Sequence, residues 1–243
     1  MRLLPVLYQD EQLVAVNKPS GLLVHRSAID RHETEFAMQI VRDQLGQWVY
    51  PLHRLDKATS GALVFALDRE TARAMTVAFT ASQVSKRYLA IVRGFTGEGD
   101  RIDHPLKDPR HRMTGQEKGG EPERPSVTEY RRLATVELPQ AVGRYGTARY
   151  SLVAAAPLTG RTHQIRRHMK HIFHPVVGDT TYGDGKQNEF FRRTFNCRRL
   201  LLHAHTIEFS HPGTGRTISI HAQLAGDFSA VVDALQWDKV ALP

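Results

Sequence analysis

Residues 53–67 read HRLDKATSGALVFAL, a polar turn with several charges that leads directly into an apolar run. The six residues Ala62–Leu67 are all apolar, which is typical of a buried strand. Short runs of similar character recur at 13–16, 88–92, 150–153, 202–209 and 217–220. Short strands therefore dominate the predicted fold.

Helical spacing of apolar residues occurs between these runs, at 36–45, at 72–79, from about 162 to 172 and from about 228 to 235. Strands and helices mix without a regular βαβ rhythm, so the sequence predicts an α+β fold on a largely antiparallel sheet. Residues 97–125 are polar and rich in glycine, proline and charge, and we expect a long loop or excursion there. The length of 243 residues suits a single domain, although it also allows two.

The composition gives a net charge of +8, from 33 lysines and arginines against 25 acidic residues. Such an excess suits either a solubilising surface or a phosphate-rich partner. The single cysteine excludes a disulfide framework and a cysteine-based zinc site. No apolar run is long enough to cross a membrane, and the first residues lack a signal-peptide pattern. We therefore expect a cytoplasmic protein without a membrane partner.

Asp56 is the first candidate for chemistry, because it lies among the basic residues His53, Arg54 and Lys57. Positive charge nearby keeps a carboxylate ionised, and the ionised form is the one that a nucleophile or base requires. A surface ion pair or an Asx-type turn explains the same pattern. The residues alone leave these interpretations open.

Two further segments combine positive charge with flat or apolar side chains. Lys86-Arg87-Tyr88 opens a strand, where a tyrosine beside two cations suits either stacking on a base or packing on the sheet. Residues 161–171 contain four lysines or arginines and three histidines, and no acidic residue. If this segment is helical, like charges at i,i+4 spacing repel, and an anionic partner relieves the repulsion. A solvated basic face is the alternative.

A metal site is not expected. The histidines at 168, 171 and 174 repeat at a helical spacing, but the chain contains neither a His-Glu-x-x-His motif nor a cysteine cluster. Histidines among so many cations also make weak ligands for a metal ion.

These motifs together resemble those of the RluA-type pseudouridine synthases. The similarity covers NKPSG at 17–21, HRLDKATSG at 53–61, KRY at 86–88, GRTHQIR at 160–166 and HPVVGD at 174–179. It runs in the expected order from about Leu7 to Ala222. The resemblance implies the pseudouridine synthase fold, an α+β fold with a mixed, mainly antiparallel sheet, flanking helices and a central catalytic cleft. It further implies one catalytic domain over 1–243, without an S4-like N-terminal domain.

The resemblance also implies an activity and its residues. A uridine in RNA is isomerised to pseudouridine without a cofactor or a metal ion. Asp56 is then the catalytic carboxylate, acting as nucleophile or base, Arg166 its ion-pair partner, and Tyr88 the residue that stacks on the target ring. The residues expected to contact RNA are Arg54, which fills the space left by the flipped base, with His53, Lys86, Arg87, Arg161, Arg167 and Lys170.

Within the family, the resemblance is greatest to members that modify a uridine in the T stem of tRNA, position 65. It rests on residues 7–11, 24–27, 143–145 and 166–168. We accordingly expect tRNA as the partner and a monomeric enzyme. Three alternatives stay open: an enzyme acting on ribosomal RNA or on two RNAs, a non-catalytic RNA-binding protein, and a metal-dependent nucleic-acid hydrolase.

Overall fold

The computed structural model describes residues 3–26, 32–108 and 122–243. The contacts within the chain divide it into two compact units. Unit 1 comprises Met1–Lys86 and His203–Gln223, and unit 2 comprises Arg87–Leu202 and Leu224–Pro243. The expectation of a single catalytic domain stays a prediction.

The described part of the chain alternates short strands with a smaller number of helices. None of these helices is both long enough and apolar enough to cross a membrane. In chain order the elements are β1 (Val6–Gln9), β2 (Leu13–Lys18), α1 (Ala37–Leu45), β3 (Tyr50–Pro51), β4 (Ser60–Ala66), α2 (Arg69–Thr80), β5 (Ser85–Arg93), β6 (Gly99–Asp103), β7 (Val127–Leu138), β8 (Ala148–Pro157), α3 (Gln164–His171), α4 (Gly185–Phe195), β9 (Leu202–Ser210), β10 (Thr217–His221) and α5 (Asp227–Ala234).

The sheet of unit 1 has the strand order β1-β2-β4-β9-β10, and β3 also pairs with β4. All pairs are antiparallel except β4 with β9, which run parallel. β4 is buried along its whole length because both of its faces are apolar or small. Helix α2 begins at the N-cap Asp68 and places Met75 in the same apolar cluster as Val64 of β4. The predicted strand at 62–67 is thus the centre of this unit.

Gly61 allows β4 and β9 to approach closely. Its φ is +116°, and a Cβ atom at this position would lie 2.2 Å from the carbonyl oxygen of Ala204. Only glycine fits such a backbone and such a separation. The glycine at the end of the 53–61 motif is therefore required by the sheet itself.

The sheet of unit 2 is antiparallel, with the order β5-β8-β7-β6. Its main apolar cluster joins Leu152 of β8 and Phe191 of α4 to Phe228 of α5, all of them buried. α3 contacts β7 and β8, and α4 contacts α5. The mixed, mainly antiparallel sheets with flanking helices confirm the predicted fold class.

The predicted strands and helices are found at their expected places, and the polar segment 97–125 differs in part. Residues 99–103 form the strand β6, where the sequence led us to expect a loop. β6 is mostly exposed and buries only Ile102, so its sequence lacks the apolar pattern of a strand. Backbone pairing with β7 forms the strand instead. Residues 109–121 of this segment lie outside the described residues.

Candidate active site

Asp56 lies in unit 1, in the turn that connects β3 to β4. The Asp56 carbonyl oxygen accepts a hydrogen bond from the Thr59 N–H at 3.0 Å, which closes a turn over 56–59. Leu55, which directly precedes the turn, is buried with 5% of its surface exposed, whereas Asp56 itself is half-buried. The turn therefore has an apolar anchor directly before the candidate carboxylate.

The buried ammonium group of Lys18 supports this turn through hydrogen bonds to backbone carbonyl oxygens. Lys18 has no exposed surface, and its Nζ donates to the carbonyl oxygens of Pro19 at 3.0 Å, Leu22 at 2.8 Å and Lys57 at 3.3 Å. A buried charge is costly without such partners, and the three carbonyl dipoles supply them. Lys18 thus joins the NKPSG turn to the residue that follows Asp56.

Two further hydrogen bonds join the same segments. The Ser20 hydroxyl donates to the carbonyl oxygen of Ala58 at 2.6 Å. The Gly21 N–H donates to the carbonyl oxygen of Lys57 at 2.8 Å. The backbone on the C-terminal side of Asp56 is therefore fixed at consecutive residues.

His53 supports the turn from its other end. Its ring stacks on Phe79 with 5.2 Å between centroids, and its Nε2 accepts the Val64 N–H at 3.1 Å. Burial, and secondly the positive charge of Lys86, lower the pKa of His53 to about 3. The ring is therefore neutral at pH 7 and carries no charge for a phosphate. The Nε2 of His53 is therefore used inside unit 1, and the expected RNA contact of this residue stays a prediction.

A hydrogen bond between the side chains of Ser60 and His203 joins the start of β4 to β9. His203 Nε2 donates to the carbonyl oxygen of Ala222 at 2.9 Å, so its Nδ1 accepts from the Ser60 hydroxyl at 2.7 Å. Ser60 and His203 are both buried. This contact fixes the point at which the 53–61 motif enters the sheet.

The cations expected to contact RNA in this region have different exposures. Arg54 and Arg87 are exposed, and Lys86 is half-buried, with its pKa lowered by burial. Lys57 forms an ion pair with Glu33 at 2.7 Å, in which both side chains are more than a third exposed. Arg54 of unit 1 and Arg87 of unit 2 therefore have accessible side chains.

Arg166 lies on α3 in unit 2 and forms a buried bidentate ion pair with Asp179. Arg166 Nε donates to Asp179 Oδ2 at 2.7 Å, and Nη2 donates to Oδ1 at 2.9 Å. The side chains are 8% and 0% exposed. The parallel geometry of two charge-assisted hydrogen bonds fixes the direction of the guanidinium group. Asp179 is thus a partner of Arg166 that the sequence interpretation did not name.

The carboxylate of Asp179 is ionised despite its burial. Burial by itself raises its pKa, but the hydrogen bonds and charge of Arg166 outweigh this effect, and the N–H groups of Tyr182 and Thr181 add to it. The net result is a pKa below the usual value for Asp179. The Tyr182 ring also lies 5.1 Å from the Arg166 guanidinium, and its hydroxyl bonds His163 Nδ1 at 3.0 Å. Arg166 is therefore enclosed by a small ordered network.

The other cations of α3 and its N-terminal turn contact backbone within unit 2. Arg161 Nε donates to the carbonyl oxygen of Pro125 at 3.3 Å, and Arg167 Nη1 donates to that of Lys107 at 2.7 Å. Each of these guanidinium groups therefore uses one N–H group on the backbone of unit 2. Lys170, in contrast, is exposed.

Tyr88 lies on β5 in unit 2, opposite Ala155 of β8, and is half-buried. Unit 2 therefore contains Tyr88, Arg166 and Asp179, and unit 1 contains Asp56 with its supporting residues. Sequence reasoning missed the roles of Lys18 and Asp179, although the motifs NKPSG and HPVVGD that contain them were recognised. Among the described residues, no group of three histidines, cysteines or carboxylates could hold a metal ion.

The chain matches the model of a known protein family over more than half of its length. Residues 12–171 match the model of the RNA pseudouridylate synthase family. The chain belongs to this family. It is therefore an isomerase, which decides against the hydrolase and the non-catalytic alternatives.

Close relatives and solved structures agree with this membership. The chain is 49% identical over 234 residues to tRNA pseudouridine synthase C of Haemophilus ducreyi, covering 96% of both chains. It is 48% identical over 241 residues to the protein of the same name in Vibrio cholerae, covering 99% of both.

The fold is similar to that of human RNA pseudouridylate synthase domain containing 4, with a TM-score of 0.71, 25% identity and coverage of 96% and 93%. For the human domain containing 1 protein the TM-score is 0.68, at 26% identity and coverage of 98% and 96%. The predicted pseudouridine synthase fold is confirmed.

Proposed function

We propose that this protein isomerises a uridine in the T stem of tRNA to pseudouridine, with Asp56 as the catalytic carboxylate. The similarity to relatives named tRNA pseudouridine synthase C, which covers nearly the full length of each chain, carries the choice of tRNA. The T stem is the finer part of the proposal and rests on the subfamily resemblance of the sequence. We further propose a monomer that acts in the cytoplasm.

The reaction breaks the bond between N1 of uracil and C1′ of ribose and forms a bond between C5 and C1′. The proton on C5 is lost and N1 gains one, so nothing is oxidised or hydrolysed. An ionised carboxylate can act as a nucleophile or as a base towards the sugar. Both roles require a carboxylate held in one orientation, and the hydrogen bonds of Lys18 and Ser20 to the residues after Asp56 supply that support.

Arg166 and Tyr88 are assigned to the same reaction by their match to the family motifs. The bidentate contact with Asp179 orients Arg166 before any substrate binds, so little conformational entropy is lost when it acts. We keep the proposal that Arg166 acts together with Asp56. Tyr88 stacks on the target ring and helps to remove the C5 proton.

The RNA contacts are proposed for the basic residues that the family resemblance indicates. The target base must be flipped out of its stack, which costs a few kcal/mol, and Arg54 is proposed to fill the vacated space. Lys86, Arg87 and Lys170 are proposed to bind flanking phosphates. Arg161 and Arg167 stay in this group, because a guanidinium has further N–H groups besides the one that contacts backbone. His53 stays in it through Nδ1, since its Nε2 accepts the Val64 N–H.

The decisive experiment compares Asp56→Asn with Asp43→Asn. Asp43 is an exposed carboxylate of unit 1 that pairs with Arg42 at 2.7 Å, and it provides a matched change of charge. An unmodified tRNA transcript is incubated with each variant, and pseudouridine is mapped by chemical modification and primer extension. We expect Asp56→Asn to bind the transcript and melt like the unmodified protein but to form no pseudouridine, whereas Asp43→Asn stays active.

Each part of the proposal has its own contradicting result. Substantial turnover by a folded Asp56→Asn variant removes Asp56 from the chemistry. Product in tRNA but outside the T stem contradicts the proposed position. Product in ribosomal RNA, with or without product in tRNA, supports the dual-specificity or the ribosomal alternative. A dimeric mass in gel filtration contradicts the monomer.

A further inference from the structure

Phe173 directly follows α3 and has an unusual combination of backbone and environment. It is the most exposed of the large apolar residues that the structure describes as exposed, with 86% of its surface accessible. Its φ is +66°, in the left-handed region. An exposed apolar residue is common by itself, but a bulky residue at positive φ is a genuine outlier.

The backbone around Phe173 explains why this conformation occurs. The Phe173 N–H donates to the carbonyl oxygen of Lys170 at 3.1 Å, and the His174 N–H donates to that of Met169 at 2.8 Å. This is the hydrogen-bond pattern of a Schellman motif, in which the residue at the position of Phe173 is usually glycine. The turn thus requires a left-handed residue but gains nothing from an aromatic ring.

Neither folding nor packing accounts for the ring. A side chain at positive φ strains the backbone, and an almost fully exposed ring removes little apolar surface from water. Strained residues persist where the surrounding structure fixes them, and they cluster at sites of binding and catalysis. The ring is therefore placed for a partner outside the described chain.

The charges beside Phe173 indicate the chemistry of that partner. Lys170 and His171 are exposed on the last turn of α3, and the helix contains no acidic residue. The His171 ring stacks on the His104 ring with 3.7 Å between their centroids, and this contact fixes the position of the His171 ring. An aromatic ring flanked by cations is the usual platform for a nucleic-acid base with its phosphate.

We propose that Phe173 stacks on an unpaired base of the RNA substrate, while Lys170 binds an adjacent phosphate. The proposal rests on RNA being the substrate, as argued above, and adds a binding site to it. Tyr88 is the residue proposed to stack on the target ring, so the base on Phe173 is a different one.

Glycine substitution separates a binding role from a structural one. Phe173→Gly removes the ring and suits the left-handed backbone, so we expect a melting temperature that is unchanged or raised. We expect the affinity for an unmodified tRNA transcript to fall about five- to tenfold, because base stacking on an aromatic side chain contributes at this level. The loss appears in KM and in the dissociation constant, while kcat at saturating tRNA is unchanged.

Three comparisons sharpen the test. Phe173→Trp keeps a stacking ring and should restore most of the affinity. Lys170→Ala should lower the dependence of binding on salt, whereas Phe173→Gly should leave it unchanged, since stacking releases no counterions. Trp48→Ala is the matched control, because Trp48 is 66% exposed and lies on unit 1 beside Arg42. It should bind tRNA like the unmodified protein.

The proposal is overturned if Phe173→Gly binds tRNA normally, or if its melting temperature falls by several degrees, which would show that the ring packs within the protein. It is also overturned if the glycine variant loses only self-association, since another copy of the chain would then cover the ring. Pseudouridine formation by the unmodified protein keeps these results distinct from a failure of the proposed function.

Discussion

Replacing Asp179 by asparagine tests whether the buried pair on Arg166 organises the site. Asparagine has nearly the same shape, so the change removes one negative charge and turns one acceptor into a donor. Arg166 Nε, which now donates to Oδ2 at 2.7 Å, would face an N–H group or lose its partner. The amide oxygen can keep one contact of the pair.

The expected cost follows from the burial of both groups. Removing one member of a buried ion pair destabilises a protein by about 3–5 kcal/mol, because the other charge is left poorly compensated. Asp179 Oδ1 also accepts the N–H groups of Thr181 and Tyr182, both at 2.9 Å, so the loop after α3 loses part of its support. We expect the free energy of unfolding to fall by about 3 kcal/mol or more, and kcat to fall with it.

Urea unfolding, followed by circular dichroism, measures this loss at pH 7. Glu189→Gln is the control, since Glu189 pairs with Arg192 and Arg193 on the surface of the same unit and its loss should not change stability measurably. The pH dependence provides a second measurement. The pKa of Asp179 is lowered in the folded state, so its stabilisation is present above the ordinary carboxyl pKa and is lost as the pH falls through the folded value. An Asp179→Asn variant as stable and active as the unmodified protein would refute the reasoning.

Three other perturbations act on unit 1. Lys18→Met leaves three carbonyl oxygens without their buried donor. We expect the free energy of unfolding, measured with urea, to fall by about 1–3 kcal/mol, together with a lower kcat. A normal kcat would show that the Asp56 turn does not need this support. Gly61→Ala should prevent folding or lower the free energy of unfolding by more than about 3 kcal/mol, because the new Cβ meets the Ala204 carbonyl. Gly21→Ala has open space around its Cβ at a φ of +87°, so it should cost only the backbone strain. Equal stability of the two variants would contradict this account. The folded pKa of His53 is about 3, below its unfolded value, so stability falls on acidification from about pH 6.5 by about 1.4 kcal/mol per pH unit for this group. His53→Gln should flatten that slope in unfolding curves between pH 7 and 5, and an unchanged slope would exclude His53 as its source.

The sequence predicted the elements that bury a regular apolar pattern. β4 and α2 were found where the apolar runs placed them, because Val64 and Met75 pack in one core. It did not predict β1, β3, β6, β7 or α4. The residues of β6 are polar and become a strand through pairing with β7, and the helical spacing of Phe191 and its neighbours was not recognised.

The candidate site was predictable as a set of motifs rather than as a set of contacts. The motifs contain Asp56, Tyr88 and Arg166, but the ion pair of Arg166 with Asp179 joins residues 13 positions apart through the tertiary structure. The left-handed conformation of Phe173 is equally invisible in its sequence, since phenylalanine rarely adopts it. Backbone conformation and contacts between distant elements cannot be read from a single sequence.

The contacts that hold the Asp56 turn have a consequence for sequence variation. Lys18, Ser20 and Gly21 all bind backbone carbonyl groups of Lys57 and Ala58 and make none of these hydrogen bonds to the side chains. A carbonyl is the same in every residue, so this clamp does not discriminate among side chains at 57 and 58. Substitutions at 57 and 58 therefore leave these backbone hydrogen bonds in place, and a library randomised at both positions should retain the Asp56 turn.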